Sequence, residues 1–405
     1  MIDVAEARRR IIEAITPLAP EQIALGDGLG RVLATDVRSR RTQPPAAVSA
    51  MDGYAVQAAD VAKLPATLKI IGEVPAGAAF EGEVGPGETV RIFTGATVPR
   101  GADAIVIQEN TTRHDDQVDV NDGTAPKGRY VRPVGLDFTE GDVLLKAGRV
   151  LSARDIGLAA AMNVPWLQVH RRPRIALLAT GDEVVMPGDP IGPNQIVSSN
   201  GLALSSFIVA NGGQATDLGI APDKADALRS MAAGAQGSDM LVTTGGASVG
   251  EHDLVQKVLG DIGLEVNFWR IAMRPGKPLI FGHIGNTLLL GLPGNPVSAL
   301  VCAIIFLTPA LHALQGIKQD RRPTDTAILT QELEENDERQ DYLRATLARG
   351  EDGIMLATAM GKQDSSVFSG LAHADCLIVR APFAPLAVAG TAVTILRLGG
   401  GLMGI

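Results

Sequence analysis

From residue 171 to residue 317, apolar runs of strand length alternate with segments of helical periodicity, and this alternation constrains the fold more than any other feature. Strands are expected at 174–180, 215–219, 239–243, 264–272, 278–283 and 287–291. Helices are expected at 199–210, 223–235, 253–260 and 297–314. That order argues a doubly wound α/β domain, a parallel sheet with helices on both faces. Such sheets bind ligands beyond the carboxyl ends of their strands. The residues that follow each strand are therefore where chemistry is expected.

Four such segments stand out within about 120 residues, the size of one α/β domain. Leu241-Val-Thr-Thr-Gly-Gly-Ala-Ser-Val-Gly-Glu-His-Asp253 runs from an apolar strand into glycines, a serine and two acids. Glycines let backbone N–H groups approach an anion with no Cβ in the way. Carboxylates repel an anion unless a metal sits between them, so amides beside acids suggest a phosphate ester handled with Mg²⁺. Arg174-Ile-Ala-Leu-Leu-Ala-Thr-Gly-Asp-Glu183 is a second strand ending in a glycine and acids. Arg270-Ile-Ala-Met-Arg-Pro-Gly-Lys-Pro278 places three cations around a Pro-Gly turn, and Leu288-Leu-Leu-Gly-Leu-Pro-Gly-Asn-Pro-Val297 leads from a strand into a long apolar helix. A tight strand-to-helix turn with solvated acids accounts for the first segment without any ligand. Gly246-Ala-Ser-Val-Gly250 also has the nucleophile-elbow pattern of a serine hydrolase, for which Asp261 with His283 or His312 would complete a triad.

Outside this region the pattern changes. Residues 3–16 read as an amphipathic helix with Asp3 and Glu6 at capping-box spacing and Val4, Ala7, Ile11 and Ile15 on one face. From 45 to 135 short strand-like runs separated by Gly- and Pro-rich turns indicate an inserted β-rich domain. The flanking pieces, 1–44 and 136–170, are expected to form a discontinuous first domain, with a helix beginning at Ser152. Residues 171–317 make the α/β domain, and 318–405 read as a small β barrel or sandwich. The net charge of −9 argues against nucleic-acid binding and requires that any anionic substrate be met by local cations. Only Cys302 and Cys376 are present, both in apolar surroundings, which fits buried free thiols and a reducing cytoplasm. No signal peptide or membrane span is expected, because the apolar run between Pro296 and Pro309 is shorter than the about 20 residues a bilayer needs.

The motifs resemble those of a known family. Gly-Asp-Glu at 181–183, Gly-Gly-Ala-Ser-Val-Gly at 245–250, Arg-Pro-Gly-Lys-Pro at 274–278 and Pro-Gly-Asn-Pro-Val-Ser at 293–298 are similar to those of the molybdopterin molybdenumtransferases, the MoeA type related to the gephyrin E domain. Ser49-Ala-Met-Asp-Gly-Tyr-Ala-Val56 and Arg91-Ile-Phe-Thr-Gly-Ala96 match two further motifs, so the resemblance is collinear over nearly the whole chain. It implies the final step of molybdenum cofactor biosynthesis. Adenylylated molybdopterin and molybdate enter, AMP leaves, and molybdenum is placed on the dithiolene with Mg²⁺ required. It also implies a cytoplasmic, elongated homodimer whose active sites are shared between subunits. The adenylyltransferase of the preceding step and the molybdoenzymes are implied as partners.

Site residues carry over by motif. Gly245, Gly246, Ser248, Arg270, Arg274, Lys277, Pro293, Asn295, Arg344 and Ser365 fall at positions for molybdate or the pterin phosphate. Asp52, Thr94, Asp137, Glu183, Asp223 and Asp253 fall at catalytic positions, with Glu183 and Asp253 as hard oxygen ligands for Mg²⁺. Arg270 and Arg274 stand where many members have lysine, and Leu136 stands where an acid is common beside Asp137. Each residue also has a plainer reading. Asp52 can cap an Asp-Gly turn, Glu183 can be a solvated strand-end acid, and Arg344 can pair with a nearby acid on a strand. A scaffold role, as in the gephyrin relative, would be additional to catalysis.

Overall fold

The computed structural model describes residues 1–245, 252–317 and 324–399, with the side chains of 252–254 and 256 outside that description. Two compact units divide the chain. One comprises Met1–Glu21, Gly30–Ala34 and Val169–Ile405; the other comprises Gln22–Leu29 and Thr35–Gln168.

The larger unit is built on a six-stranded sheet. Its strands are β1 (Arg174–Thr180), β2 (Gln214–Ala221), β3 (Met240–Thr244), β4 (Leu264–Trp269), β6 (Ile280–Ile284) and β7 (Thr287–Leu292), with the two-residue β5 (Met273–Arg274) lying outside it. The order across the sheet is β2-β1-β3-β7-β6-β4. The first four strands are parallel; β6 runs antiparallel to β7, and β4 pairs antiparallel with β6 and so points the same way as the first four. The parallel sheet with helices on both faces is as expected, and turn chemistry accounts for its one reversed strand. Only Gly285 and Asn286 separate β6 from β7, and a two-residue connection can join only antiparallel neighbours.

Side-chain alternation along the strands makes two cores. Ile175 and Leu177 of β1, Met240 and Val242 of β3, and Leu290 and Leu292 of β7 face one side. There they meet Leu204, Phe207 and Ile208 of helix Asn200–Ala210 and the long helix that begins at Pro296. Ala176, Leu178, Leu241 and Leu289 face the other side, against Leu228 and Ala232 of Ala225–Ala232 and Val255, Val258 and Leu259 of His252–Asp261. Each fully buried Leu, Val or Phe contributes about 1.5–3 kcal/mol, so a one-residue slip of a central strand would cost the whole layer. The N-terminal helix Val4–Glu13 is capped as its spacing suggests, the Glu6 amide donating to the Asp3 carboxylate at 2.7 Å, and Val4, Ala7 and Ile11 join the first core.

The long helix runs from Pro296 to Leu314 and is long and apolar enough to cross a membrane, but 89% of its most apolar window is buried within the fold. Pro309 does not end it. Residues Ala303–Leu307 form a π turn, in which the Thr308 amide donates to the Ala303 carbonyl. That extra residue absorbs the register change that proline's missing N–H and bulky ring would otherwise force.

Strands β8 (Thr324–Leu329), β9 (Gln340–Arg349), β10 (Met355–Ala359), β11 (Cys376–Arg380) and β12 (Ala392–Arg397) close into a five-stranded barrel, because β9 pairs with both β10 and β11. β5 pairs in parallel with the start of β9, Arg274 beside Asp341, and so ties the α/β domain to the barrel.

In the smaller unit, a six-stranded sheet runs in the order Ala104–Ile107, Gly53–Val56, Glu88–Ile92, Ala66–Val74, Gln117–Val120, Thr111–His114. Its helix Ala153–Ala161 starts with a reciprocal capping box between Ser152 and Asp155.

Candidate active site

A pocket of about 840 Å³ opens in the larger unit where β1, β3 and β7 end. Thr180 and Glu183 line it from β1 and the following turn, Thr244 and Gly245 from the end of β3, and Pro293, Gly294 and Asn295 from the turn after β7. Arg274 ends β5, and Pro275, Gly276 and Lys277 come from the loop that follows it. Arg339, Gln363, Ser365 and Ser366 come from the barrel.

Close backbone packing shapes the floor. Gly245 has φ +90°, and a Cβ there would run into the Thr180 carbonyl. Gly276 has φ +113°, and a Cβ there would strike the Sγ of Cys302 in the buried helix. Only glycine lets these two turns approach so closely. Cys302 is fully buried, and that burial pushes its thiol well above the ordinary range, so it packs as a small apolar group.

The pocket's cations differ in how they are held. Lys277 is exposed, and its ammonium has no hydrogen-bond or ion-pair partner among the described residues. Arg274 is tethered: its Nε donates to Asp341 at 3.0 Å, its Nη2 reaches Asp341 and also Asn336 at 3.2 Å, and its Nη1 lies 3.5 Å from Asp337. Asp341 is 3% exposed, and burial raises its carboxyl pKa despite the arginine beside it. Arg339 was not among the expected site residues, yet it lines the pocket and pairs with Asp337.

Arg344 lies deeper than the residues that line the pocket. It is 1% exposed and is not among the pocket-lining residues. Its Nη1 donates to the Val367 carbonyl at 2.7 Å, its Nη2 to the carbonyls of Lys362 (2.9 Å) and Asp364 (3.0 Å), and its Nε to Gln363 Oε1 at 3.3 Å. Its donors go to residues 362–367 and not to an acid on a neighbouring strand. It is the buried post around which residues 362–367 wrap, and that wrapping presents Ser365. The Ser365 hydroxyl accepts from Asn295 Nδ2 at 2.8 Å, and its carbonyl accepts from the Val297 amide at 3.1 Å. Asn200 Nδ2 donates to the Gly294 carbonyl at 2.7 Å, which secures the same turn.

The remaining expected residues fall elsewhere. Arg270, at φ +70°, stacks its guanidinium 3.9 Å from the centre of the Trp269 ring and does not line the pocket. Asp223 and Asp182 each accept from the other's backbone amide, at 3.4 and 3.1 Å respectively, and brace the turn that carries Glu183. Gly246, Ser248 and the side chain of Asp253 lie outside the described residues. Asp52, Thr94 and Asp137 belong to the smaller unit. There the Thr94 amide and hydroxyl both donate to Asp52 Oδ1 at 2.7 Å, and these bonds hold the Asp52 carboxyl below its ordinary pKa. Asp137 is exposed, its amide bonded to the Gln43 carbonyl.

Among the described residues no three His, Cys, Asp or Glu side chains cluster as a metal site. Glu183 is exposed at the pocket, with its carboxylate against Gly181. One such carboxylate fits Mg²⁺, which commonly takes one or two protein carboxylates and completes its shell with substrate phosphates and waters. The hydrolase alternative finds no support: His283 sits on the β6–β7 hairpin 3.5 Å from Glu265, and it lines a different, smaller hollow.

The chain matches three consecutive family descriptions: the MoeA N-terminal region (domain I and II) over residues 2–163, a probable molybdopterin binding domain over 176–313, and the MoeA C-terminal region (domain IV) over 326–398. It is 34% identical over 398 residues to a molybdopterin molybdenumtransferase of Haemophilus influenzae, covering 98% of each chain. It is 35% identical over 360 residues to one of a Nostoc species, covering 86% of this chain and 82% of that one. A molybdopterin biosynthesis MoeA protein from Pyrococcus horikosii superposes with a TM-score of 0.85 at 30% identity, covering 99% of this chain and all of that one. The chain therefore belongs to the MoeA family of molybdopterin molybdenumtransferases.

Proposed function

We propose that this enzyme inserts molybdenum into molybdopterin, taking adenylylated molybdopterin and molybdate to molybdenum cofactor and AMP, with Mg²⁺ required. The observation that carries the reading is one pocket holding Glu183 together with Lys277, Arg274 and Arg339 at the strand ends of an α/β sheet. A reaction between a tetrahedral oxyanion and a phosphate anhydride needs this mixture. Cations hold the anions, hydroxyl and amide groups orient them, and a carboxylate holds a divalent ion.

In this reading Lys277 and the hydroxyl of Ser365 receive an oxyanion. Arg274 fixes the loop and keeps Lys277 in place through its bonds to Asp341 and Asn336. Glu183, with Asp253, would hold Mg²⁺, which when bound neutralises charge on the phosphates and makes AMP a better leaving group. We further propose that the enzyme works in the cytoplasm, where two unpaired cysteines are at home, and as a homodimer.

The decisive assay incubates the pure protein with adenylylated molybdopterin, molybdate and Mg²⁺ and follows AMP. Release should depend on molybdate, and Glu183→Gln should abolish most of it. Full AMP release in EDTA by the native enzyme would sink the assignment of Glu183.

A further inference from the structure

Asp337 is a single carboxylate that engages two of the pocket's arginines. It accepts from Arg339 Nη2 at 2.5 Å, from Arg339 Nε at 3.1 and 3.2 Å, and from the Arg339 amide at 2.9 Å, while Arg274 Nη1 lies 3.5 Å away. Both arginines line the pocket, and Asp337 is not itself among the lining residues.

The two arginines are not equivalent. Arg274 has Asp341 and Asn336 as additional acceptors, and Asp341 is buried, so this guanidinium stays where it is. The Arg339 side chain bonds only to Asp337 among the described residues. The Asp337 side chain keeps 43% of its surface exposed. The Arg339 side chain is 25% exposed, so the pair is partly screened by solvent and favours its bound form on the order of fivefold. A dianionic tetrahedral ligand offers the same planar fork two oxygens and more charge, so it can take the carboxylate's place.

We infer that Arg339 is an oxyanion-binding residue of this pocket, and that Asp337 is its placeholder, occupying the guanidinium fork until a tetrahedral oxyanion displaces it. This rests on the pocket being the anion site of the proposed reaction. The oxyanion is either molybdate or the phosphate of the nucleotide, which share the chemistry that Arg339 recognises. Asp337 then acts on specificity. A monoanion competes with the carboxylate at equal charge and gains little, whereas a dianion brings more charge to the fork and is favoured. The Arg339 bonds hold the Asp337 carboxyl far below the ordinary range, so the placeholder stays charged at any pH the enzyme would work in.

Calorimetric titration of the full chain tests this, with molybdate alone in one arm and AMP alone in the other. Arg339→Gln should weaken one of the two anions by about tenfold, the scale of a lost charged hydrogen bond. Asp337→Asn should tighten the same anion by about three- to fivefold, the scale of a released surface pair. The double variant should show no tightening. The arm that moves identifies the source of the oxyanion. A role for Asp337 in merely bracing residues 336–341 predicts the opposite sign, so weaker or unchanged binding in Asp337→Asn overturns the placeholder. Unchanged binding of both anions in Arg339→Gln overturns the inference as a whole, and that variant decides the matter should Asp337→Asn fail to fold. Lys277→Ala separates the two levels. If it too leaves both anions unaffected, the pocket reading fails; if it alone weakens binding, only the role of Arg339 fails.

Discussion

Arg344 shows how a residue can matter to a site it does not enter. Its guanidinium is surrounded by carbonyls of residues 362–367, and burial makes its charged form harder to keep. Replacing it with methionine would fill similar space and strand those carbonyls without donors. Each unsatisfied buried group costs about 1–3 kcal/mol, so Arg344→Met should lower stability by roughly 3 kcal/mol in chemical denaturation. Activity should fall along with it, because Ser365 loses its support. A variant that keeps native stability and yet loses molybdate-dependent turnover would place Arg344 in direct contact with substrate. Sequence alone could not separate these roles. Arg344 follows Asp341 on an apparent strand, and nothing in that spacing shows that a loop some twenty residues later folds over it. Arg339 was hidden for a related reason. It lies within Glu334-Glu-Asn-Asp-Glu-Arg-Gln-Asp341, which belongs to none of the motifs, and the pairing of β5 with β9 brings it to the pocket.

At the scale of elements the sequence was legible wherever local chemistry decides the outcome. The strands and helices of the α/β domain fall close to the expected positions, because buried strands read as short apolar runs and their turns carry Gly, Pro or Asn. The one reversed strand, β6, follows from the short Gly285-Asn286 turn that joins it to β7. The strand expected over 264–272 ends at Trp269, because Arg270 leaves extended geometry at φ +70°. The Arg274–Lys277 loop lies at the boundary of what sequence can show. Its cations were visible, but its seat on the long helix was not. Cys302 Sγ lies under Gly276, close enough that a methyl group has no room. Gly276→Ala should therefore lift the loop, raise the molybdate requirement, and cost about 1–3 kcal/mol from overpacking together with the unfavourable positive φ. Adding Cys302→Ala should recover part of that loss, since it removes the clash but not the backbone strain. If Gly276→Ala binds and melts like the native protein, the loop is not seated on Cys302.

At the scale of the molecule, the expected catalytic residues are divided between two units. Glu183, Asp223 and Asp253 belong to one, and Asp52, Thr94 and Asp137 to the other. The Asp52–Thr94 pair is already organised, with both Thr94 donors on one carboxylate oxygen and the Asp52 carboxyl held below its ordinary pKa. That leaves the second oxygen of Asp52 to act on something else. The proposed homodimer gives it a target, since a two-fold pair can supply residues of one chain to the pocket of the other. Subunit mixing tests this without any assumption about how the units are arranged. Asp52→Asn and Glu183→Gln proteins should each be inactive alone. Refolded or exchanged together, half of the dimers are mixed and each has one intact site, so roughly a quarter of native activity should return. Mass photometry establishes independently that dimers form. Mixed dimers that assemble but stay inactive would show that each chain uses its own Asp52, and the dimer would then serve stability and not catalysis.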